Sequence, residues 1–278
     1  MHDLRERVVL LTGAAGGIGS ALARTFAAAG AHLALVDRDE SGLTDLASRL
    51  RGAAKVSVHA FDLSDVSRLE TLVADVLAAH GRIDVLVNNA GITVHGRFAD
   101  HTETDLDRVL DINLRAPIHL TRLVLPHLQK SSGSHLVLLS SMAGGLSFPF
   151  QSAYSASKFG LRGFGAALRI ELASENIGVT TVMPGTIATR FLANAASHDE
   201  GTSTRLSTLM QRFGTRPDRV AKAVLRGIRR NRATMRVGWD SHLMGFVGWV
   251  APPLMPTLLR LVFRYEMLGA LRDSEAAD

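Results

Sequence analysis

The sequence predicts an α/β protein in which a doubly wound parallel sheet carries helices on both faces. Three observations support this fold class. Short apolar runs of strand length alternate with longer segments of helical periodicity. A glycine-rich turn at residues 13–19 joins the first apolar run to the first helical segment. Polar or turn-forming residues directly follow several apolar runs, where parallel strands would present their carboxyl ends.

Six apolar runs predict six strands, at residues 7–12, 32–36, 55–61, 83–87, 135–140 and 179–183. Helical patterns separate them, from the glycine turn to Ala29 and over residues 40–51, 65–80, 103–130 and 154–173. Strands that alternate with helices imply right-handed crossovers, and therefore parallel pairing.

The composition is that of one large domain, or one domain with an appendage. The 278 residues are 46% hydrophobic, which is ample for a core, and they include no cysteine. A disulfide framework and a thiolate metal site are therefore excluded. The eleven histidines lack a spacing such as His-Glu-x-x-His, so we expect no metal site. Residues 1–7 carry both charge signs without a signal-peptide apolar stretch, which favours a cytoplasmic location.

The formal net charge is +5, and 27 of the 31 basic residues are arginine. A basic protein can attract nucleic acid. The sequence has no zinc-finger spacing, no helix-turn-helix signature and no basic patch interleaved with aromatic residues. We therefore expect no nucleic-acid partner.

The glycine turn predicts a dinucleotide site. Gly13, Gly17 and Gly19 allow a tight turn, close approach of the backbone to a pyrophosphate, and close packing of helix on strand. The amino end of the following helix would face the phosphates with its free N–H groups and its positive dipole end.

Asp37 ends the second predicted strand, 18 residues after Gly19. A carboxylate at this place accepts hydrogen bonds from a ribose 2′-hydroxyl and repels a 2′-phosphate, which favours NAD. Arg38 follows directly, and an arginine there can bind a 2′-phosphate. NADP therefore stays an open alternative.

Tyr154 and Lys158 are four residues apart, so a helix places them as neighbours on one face. An ammonium beside a phenol favours the phenolate, and we expect Lys158 to lower the pKa of Tyr154 from its ordinary value of about 10. Tyr154 would then exchange protons near neutral pH. Taken alone, the pair also fits a core tyrosine with a lysine extending to the surface.

Polar or turn residues end five predicted strands at what would be one edge of the sheet. They are Asp37, Asp62, Asn88, Ser141 and Pro184. Ligands of doubly wound sheets bind beyond the carboxyl ends of the strands, so this edge is the predicted site.

In order and spacing these motifs resemble the short-chain dehydrogenase/reductase family, in its subfamily with the TGxxxGxG and YxxxK motifs. The matching residues are Thr12, Gly13, Gly17, Gly19, Asp62, Asn88, Asn89, Ala90, Gly91, Asn113, Ser141, Tyr154, Lys158, Pro184, Gly185 and Thr189. The resemblance covers residues 7 to about 235. It implies a Rossmann-type fold and an NAD(P)-dependent oxidoreductase acting on CH–OH groups.

By this resemblance the catalytic residues are Asn113, Ser141, Tyr154 and Lys158. Tyr154 would exchange a proton with the substrate oxygen, and Ser141 would hydrogen bond to that oxygen. Ser141 is preferred to Ser140 because it lies 13 residues before Tyr154. Lys158 would also bind the nicotinamide ribose, and Asn113 would hold a water that connects Lys158 to solvent.

The resemblance implies further contacts with the cofactor. Asp62 would contact the adenine, residues 88–91 would line its ribose, and Thr189 would contact the nicotinamide amide. The complete set of predicted cofactor-binding residues is Gly13, Ala15, Gly17, Ile18, Gly19, Asp37, Arg38, Asp62, Leu63, Asn89, Ala90, Gly91, Tyr154, Lys158, Pro184, Gly185, Ile187 and Thr189.

We divide the chain into a catalytic domain at residues 1–237, with a substrate lid at residues 186–216, and a hydrophobic extension at residues 238–278. Residues 205–236 contain ten arginines or lysines but one acid, Asp218. An apolar stripe of Val220, Val224 and Ile228 predicts a helix there. Either it is a surface helix of the domain or it lies on a membrane.

Residues 241–259 contain no charged side chain, and as one helix they would extend roughly 28 Å. Prolines 252, 253 and 256 would break such a helix. Three alternatives stay open: the extension packs on the substrate cleft or a partner subunit, contacts a membrane peripherally through residues 238–268, or spans the membrane. The first two favour a lipophilic small-molecule substrate, such as a fatty-acyl, steroid or terpenoid alcohol or ketone.

Two alternative functions stay open beside an NAD-dependent alcohol or ketone oxidoreductase. One is an NADPH-dependent carbonyl or 3-oxoacyl reductase, and the other is a non-catalytic cofactor-binding scaffold. The family resemblance also implies a homo-dimer or homo-tetramer, with the helices at residues 103–130 and 154–173 at the interface.

Overall fold

The structure is a computed structural model that describes residues 3–53, 55–189, 191, 196–197, 212–250, 255–262 and 264. Its strands in chain order are β1 (Val8–Thr12), β2 (His32–Asp37), β3 (Val56–Ala60), β4 (Val85–Asn88), β5 (Val94–His95), β6 (His135–Leu139), β7 (Gly178–Pro184), β8 (Ala196–Ser197) and β9 (Thr234–Val237). The described helices are α1 (Gly17–Ala28), α2 (Glu40–Arg49), α3 (Leu69–His80), α4 (Glu103–Leu110), α5 (Ala116–Gln129), α6 (Ser152–Glu171), α7 (Pro217–Arg229), α8 (Trp239–Val250) and α9 (Met255–Val262).

Seven strands form one parallel sheet in the order β3-β2-β1-β4-β6-β7-β9, and β5 pairs with β8 in a separate two-stranded sheet. The chain moves outward from β1 to β3 and then returns to the other side of β1 with β4. This reversal opens a crevice beyond the carboxyl ends of β1 and β4, where ligands of such sheets bind.

Helices cover both faces of the sheet, so the core has two layers. On one face α1, α2 and α7 bury side chains such as Phe26, Leu43 and Val224. On the other face α3, α5 and α6 bury side chains such as Leu72 and Leu120. Strands buried on both faces read as continuous apolar runs, which is why the sequence predicted them. The predicted fold class is confirmed.

The predicted helix at residues 103–130 is not continuous. A five-residue π-helical turn, Asp111–Arg115, separates α4 from α5. Pro117 has no N–H to donate to the Asn113 carbonyl four residues earlier, so one α-helical hydrogen bond is missing at this point. The side chain of Asn113 leaves the helix at this turn and bonds to Ile92. Its oxygen accepts a hydrogen bond from the Ile92 N–H at 2.8 Å, and its nitrogen donates one to the Ile92 carbonyl at 2.9 Å. Such turns are frequent at functional sites.

The basic segment at residues 205–236 differs from its prediction in two ways. Its end forms β9, an edge strand that the sequence analysis missed because Thr234 is exposed and Arg236 interrupts any apolar run. The stripe of Val220, Val224 and Ile228 is buried in the core. Helix α7 is therefore a surface helix of the domain, and its apolar stripe is not free to enter a membrane.

The uncharged stretch at residues 241–259 contributes to two helices, α8 and α9, on either side of residues 251–254, which lie outside the described residues. Among the residues that the structure describes, no helix is long and apolar enough to cross a membrane. Most of the predicted lid, residues 192–195 and 198–211, also lies outside the described residues.

Asp84 joins the amino ends of the central strands, opposite the predicted site. Its carboxylate is fully buried and accepts hydrogen bonds from the Val8 amide at 2.9 Å and from Arg7 at 3.0 Å. Arg82 and Ser131 also donate to it. Burial alone would raise the pKa of Asp84, but these hydrogen bonds hold it below its ordinary value.

Replacing Asp84 with alanine is expected to lower the free energy of unfolding by about 2–4 kcal/mol, because the buried Val8 amide and Ser131 hydroxyl lose their acceptor. Urea unfolding measures the loss. The matched control is Asp45→Ala, which breaks an exposed pair with Arg49 and should cost under about 1 kcal/mol. Equal losses in the two variants would contradict this role for Asp84.

Candidate active site

The glycine turn is closed so tightly that side chains would not fit. Gly13 has a φ of +65°, and a Cβ added at Gly19 would lie 1.9 Å from the Gly13 carbonyl oxygen. A Cβ added at Gly17 would lie 2.6 Å from Cγ2 of Thr189. The turn and the loop after β7 are therefore in contact. Helix α1 starts here after Gly16, and no side chain of the described residues caps its first amides.

Thr12 and Asn89 join the ends of β1 and β4. The buried Thr12 hydroxyl accepts hydrogen bonds from the amides of Asn89 and Ala90, at 3.0 and 3.1 Å. The Asn89 side chain donates to the carbonyls of Thr12 and Gly13, at 2.9 and 3.0 Å. Asn89 thus fixes the backbone of the glycine turn.

Asp37, the last residue of β2, lies beside the glycine turn. Its carboxylate accepts a hydrogen bond from the Ala15 amide at 3.0 Å. Asp62 accepts bonds from the amide and hydroxyl of Ser64, at 2.9 and 2.8 Å. Partial burial would raise the pKa of Asp62, but these two hydrogen bonds and the nearby cations of Arg108 and Arg38 keep that pKa below its ordinary value. Arg38 is exposed at this edge of the sheet.

Three further predicted cofactor residues are wholly or partly buried. Leu63 is buried in the core layer formed with α3 and α5. Ile187 is buried on the opposite face of the sheet, and Ile18 packs against that same layer. These three side chains therefore shape the loops around the crevice by packing.

Tyr154 and Lys158 lie on α6 and are both buried, at 9% and 3% exposure. The Lys158 ammonium donates to the Leu139 carbonyl at 2.9 Å, and its nitrogen is 5.7 Å from the centroid of the Tyr154 ring. No acidic side chain pairs with Lys158 in the part of the chain that the structure describes.

The expected decrease in the Tyr154 pKa is wrong for this arrangement. Burial raises the pKa of Tyr154 to about 12, and the hydrogen bond with Ser141 opposes the rise. Burial also lowers the pKa of Lys158 to about 8. The Lys158 ammonium donates a hydrogen bond to the Leu139 carbonyl, and desolvation is the larger influence on the pKa of Tyr154.

Ser140 and Ser141 have different surroundings. The buried Ser140 hydroxyl donates to the Lys158 carbonyl at 2.9 Å and so ties β6 to α6. The Ser141 hydroxyl accepts a hydrogen bond from the Ala143 amide at 3.1 Å and reaches the Tyr154 phenol. Of the two serines, Ser141 therefore faces the tyrosine.

Asn113 and Gly91 complete the group around Lys158. A Cβ added at Gly91 would lie 3.1 Å from Nζ of Lys158 and 3.2 Å from Oδ1 of Asn113. The Asn113 amide also donates to the Ser157 hydroxyl at 3.1 Å. The structure therefore brings together Asn113, Ser141, Tyr154 and Lys158 beside the end of β4.

The loop after β7 is held by residues that the sequence analysis did not assign to the site. The Asp240 carboxylate accepts a hydrogen bond from the Thr186 amide at 2.5 Å, and the Ser241 hydroxyl donates to the Met183 carbonyl at 2.8 Å. A Cβ added at Gly185 would lie 2.0 Å from Asp240. One signal was present, since Asp240 is the only acidic residue between Asp218 and Glu266.

An apolar cluster adjoins Tyr154. Its buried members include Val94, Val109 and Ala143, and Phe148 and Phe191 pack against them. The Tyr154 and Phe191 ring centroids are 5.7 Å apart. No sequence pattern marks this apolar cluster, because its members come from separate elements.

These features define a class of protein, the dinucleotide-binding oxidoreductases of the doubly wound fold. The site has a glycine cradle that a Cβ would fill, helix amides without a side-chain cap, and a carboxylate beside them. A nicotinamide dinucleotide fits this donor set: the start of α1 would hold its pyrophosphate, and Asp37 would hydrogen bond to its ribose.

Comparison with known proteins identifies the family. The family model for short chain dehydrogenase matches residues 7–200. Dehydrogenase/reductase SDR family member 7B of Xenopus laevis is 38% identical over 265 residues, which are 92% of this chain and 81% of that protein. Probable oxidoreductase EphD of Mycobacterium tuberculosis is 32% identical over 266 residues, or 92% of this chain and 45% of that protein. The chain belongs to the short-chain dehydrogenase/reductase family and is an NAD(P)-dependent oxidoreductase.

Two solved structures share the fold. A short-chain dehydrogenase from Streptomyces avermitilis superposes with a TM-score of 0.78 at 29% identity, covering 93% of this chain and 97% of that chain. A short-chain dehydrogenase/reductase from Burkholderia phymatum, solved in complex with NAD, gives a TM-score of 0.79 at 24% identity and covers 97% of both chains.

Replacing Gly19 with alanine is expected to weaken NADH binding by about tenfold or more, because the new Cβ must displace the Gly13 carbonyl. A fluorescence titration measures the affinity. Gly163→Ala in α6 is the matched control, since an added Cβ there meets nothing within 4 Å. It should retain binding and gain about 0.5–1 kcal/mol of stability. Unchanged affinity in Gly19→Ala would contradict the cradle.

Proposed function

We propose that this protein transfers a hydride between a nicotinamide cofactor and a secondary alcohol or ketone, with Tyr154 as the general acid and base. The observation that carries the proposal is the buried phenol of Tyr154, which has Ser141 at its hydroxyl and Lys158 beside its ring. With a pKa of about 12, the phenol keeps its proton at neutral pH and can donate it to a carbonyl oxygen.

Each neighbouring residue has a distinct part in this proposal. Ser141 hydrogen bonds to the substrate oxygen and stabilises the charge that develops there. Lys158 offsets the negative charge that forms on Tyr154 as its proton leaves, because a buried cation acts strongly at this distance. The nicotinamide cofactor supplies or accepts the hydride when it is bound.

We propose that Asn113 has a positioning role beside the one that the resemblance implies, which is to hold a water that connects Lys158 to solvent. Its side-chain oxygen accepts from the Ile92 amide, and its nitrogen donates to Ile92 and Ser157. These contacts fix the backbone at Ile92, and the preceding residue, Gly91, is thereby held against Lys158.

The direct test is Tyr154→Phe, which removes the hydroxyl and keeps the ring. Turnover is expected to fall about 10²–10⁴-fold, while NADH affinity stays near that of the wild type. Steady-state rates and a binding titration measure the two effects separately. A variant that retained wild-type turnover would contradict the role of Tyr154.

The two serines supply a matched pair for the same assay. Ser141→Ala should lower turnover with little change in NADH affinity, because its hydroxyl faces the phenol. Ser140→Ala removes a bond to the Lys158 carbonyl and should reduce stability more than turnover. A larger loss of turnover in Ser140→Ala than in Ser141→Ala would contradict this assignment of the two serines.

We propose NAD as the preferred cofactor. The Asp37 carboxylate at the glycine turn repels a 2′-phosphate, whereas the exposed Arg38 would favour one. Titrations with NADH and NADPH side by side should give tighter NADH binding, and Asp37→Asn should reduce the preference. Glu40→Gln, which removes an exposed charge at the start of α2, is the control. Tighter NADPH binding would favour the alternative, an NADPH-dependent carbonyl or 3-oxoacyl reductase.

We propose a lipophilic substrate. The support is the apolar cluster of Val94, Val109, Phe148 and Phe191 around Tyr154, which would lie against the hydrocarbon part of the substrate. We also propose that residues 186–216 form a lid on the catalytic domain of residues 1–237. Faster turnover of short polar alcohols than of long-chain or polycyclic ones would contradict this substrate class.

We propose two contacts with other partners. Helices α4, α5 and α6 would form a homo-dimer or homo-tetramer interface, supported by the exposed Phe159 and Ile170 on α6. The extension at residues 238–278 would contact a membrane peripherally through residues 238–268, supported by exposed apolar side chains on α8.

A further inference from the structure

A basic groove lies between α7 and the first turn of α8. It has a volume of about 830 Å³, and its lining includes Arg219, Lys222, Arg226, Arg236 and Trp239. The groove is basic because α7 turns its apolar stripe into the core and leaves its charged face outward. A water-facing groove of this charge can hold anions.

An apolar stripe continues from this groove along α8. Trp239, Leu243, Phe246 and Val250 follow one another at intervals of four, three and four residues, so they share one helix face. Trp239 is 74% exposed and Phe246 is 62% exposed. Trp249, at 80% exposure, flanks the stripe. Both tryptophans of the chain therefore lie on this helix.

The charges around the groove indicate what can cover it. Asp218 is the only acidic residue among residues 205–236, and it lies 3.4 Å from Arg216. The single acid of α8, Asp240, turns inward to the Thr186 amide. A second copy docked on the groove by a two-fold axis would bring like charges together, which is unfavourable. An anionic partner has no such cost.

We infer that this groove and stripe, together the C-terminal docking surface, bind a bilayer that carries anionic lipid headgroups. The arginine and lysine side chains meet the lipid phosphates, and the tryptophans and Phe246 enter the headgroup boundary, where amphipathic aromatic rings are favoured. Anionic lipid is thus the lipid class for the membrane contact proposed above. This inference rests on that contact and is independent of the proposed hydride transfer.

The docking surface adjoins the active site. Asp240 and Ser241 belong to the first turn of α8 and bond to the loop after β7, which reaches Thr189 and the glycine turn. A bilayer held at α8 is therefore linked by direct contacts to the site where a lipophilic substrate would react.

Tryptophan fluorescence and vesicle sedimentation test the inference, because both tryptophans are on α8. The full chain is mixed with vesicles of phosphatidylcholine alone, or of equal parts phosphatidylcholine and phosphatidylglycerol. We expect sedimentation and a blue shift with the anionic vesicles, decreasing as salt is added. Equal binding to both vesicle types would overturn the preference for anionic lipid, although the proposed membrane contact would stand. Binding to neither vesicle type would overturn the lipid preference and the membrane contact together. A separate assay of dehydrogenase activity tests the proposed chemistry independently of either result.

Charge reversal separates this surface from general basicity. The double variant Lys222→Glu and Arg226→Glu should weaken binding to anionic vesicles by about tenfold or more. The matched control is Arg51→Glu with Lys55→Glu, the same charge change at the β3 edge of the sheet, and it should bind nearly as the wild type does. Equal loss in both double variants would overturn the inference.

Two further readouts keep the test specific. Phe246→Ser should weaken binding without changing the net charge, and thermal unfolding checks that each variant is folded. A blue shift that appears without vesicles as protein concentration rises, together with dimers in light scattering, would show that a second copy covers the surface and would overturn the inference.

Discussion

The hydrogen bonds of Thr12 are the constraint on which the site depends. β1 and β4 are neighbours in the sheet, but their chains leave in different directions, so the crevice needs a link across its base. The Thr12 hydroxyl supplies it by accepting from the amides of Asn89 and Ala90 and donating to the Val87 carbonyl at 3.3 Å. The glycine turn and Gly91 take their positions from this link, and Lys158 packs against Gly91.

Tyr154 and Lys158 are buried at a cost in free energy, because burial removes water from groups that ionise. Burial disfavours the charged forms of both Tyr154 and Lys158, and it moves their pKa values to about 12 and about 8. At neutral pH both groups therefore hold their protons. The Leu139 carbonyl at the end of β6 accepts a hydrogen bond from the Lys158 ammonium, which offsets part of the cost of burying that cation. Perturbed groups of this kind are typical of functional sites.

The sequence predicted what depends on local pattern and missed what depends on packing. Five strands of the main sheet were found because burial on both faces makes them apolar runs, and the edge strand β3 was found from its alternating valines. The other edge strand, β9, carries Arg236 and was missed. The four-residue spacing placed Tyr154 beside Lys158, but spacing does not report burial, so the sign of the Tyr154 pKa shift was wrong. The contact of Asp240 with Thr186 joins residues 54 positions apart, so the isolation of Asp240 among uncharged residues marks it without indicating its partner.

The most direct test of the central claim is a calorimetric titration of NADH into the wild type and into Thr12→Val. Valine keeps the shape of threonine but leaves the amides of Asn89 and Ala90 without their acceptor, at a cost of about 1–3 kcal/mol each. We expect the wild type to bind NADH and the variant to bind it about tenfold or more weakly while remaining folded. Equal affinity in the two proteins, or no binding of NADH or NADPH by the wild type, would contradict this account of the site.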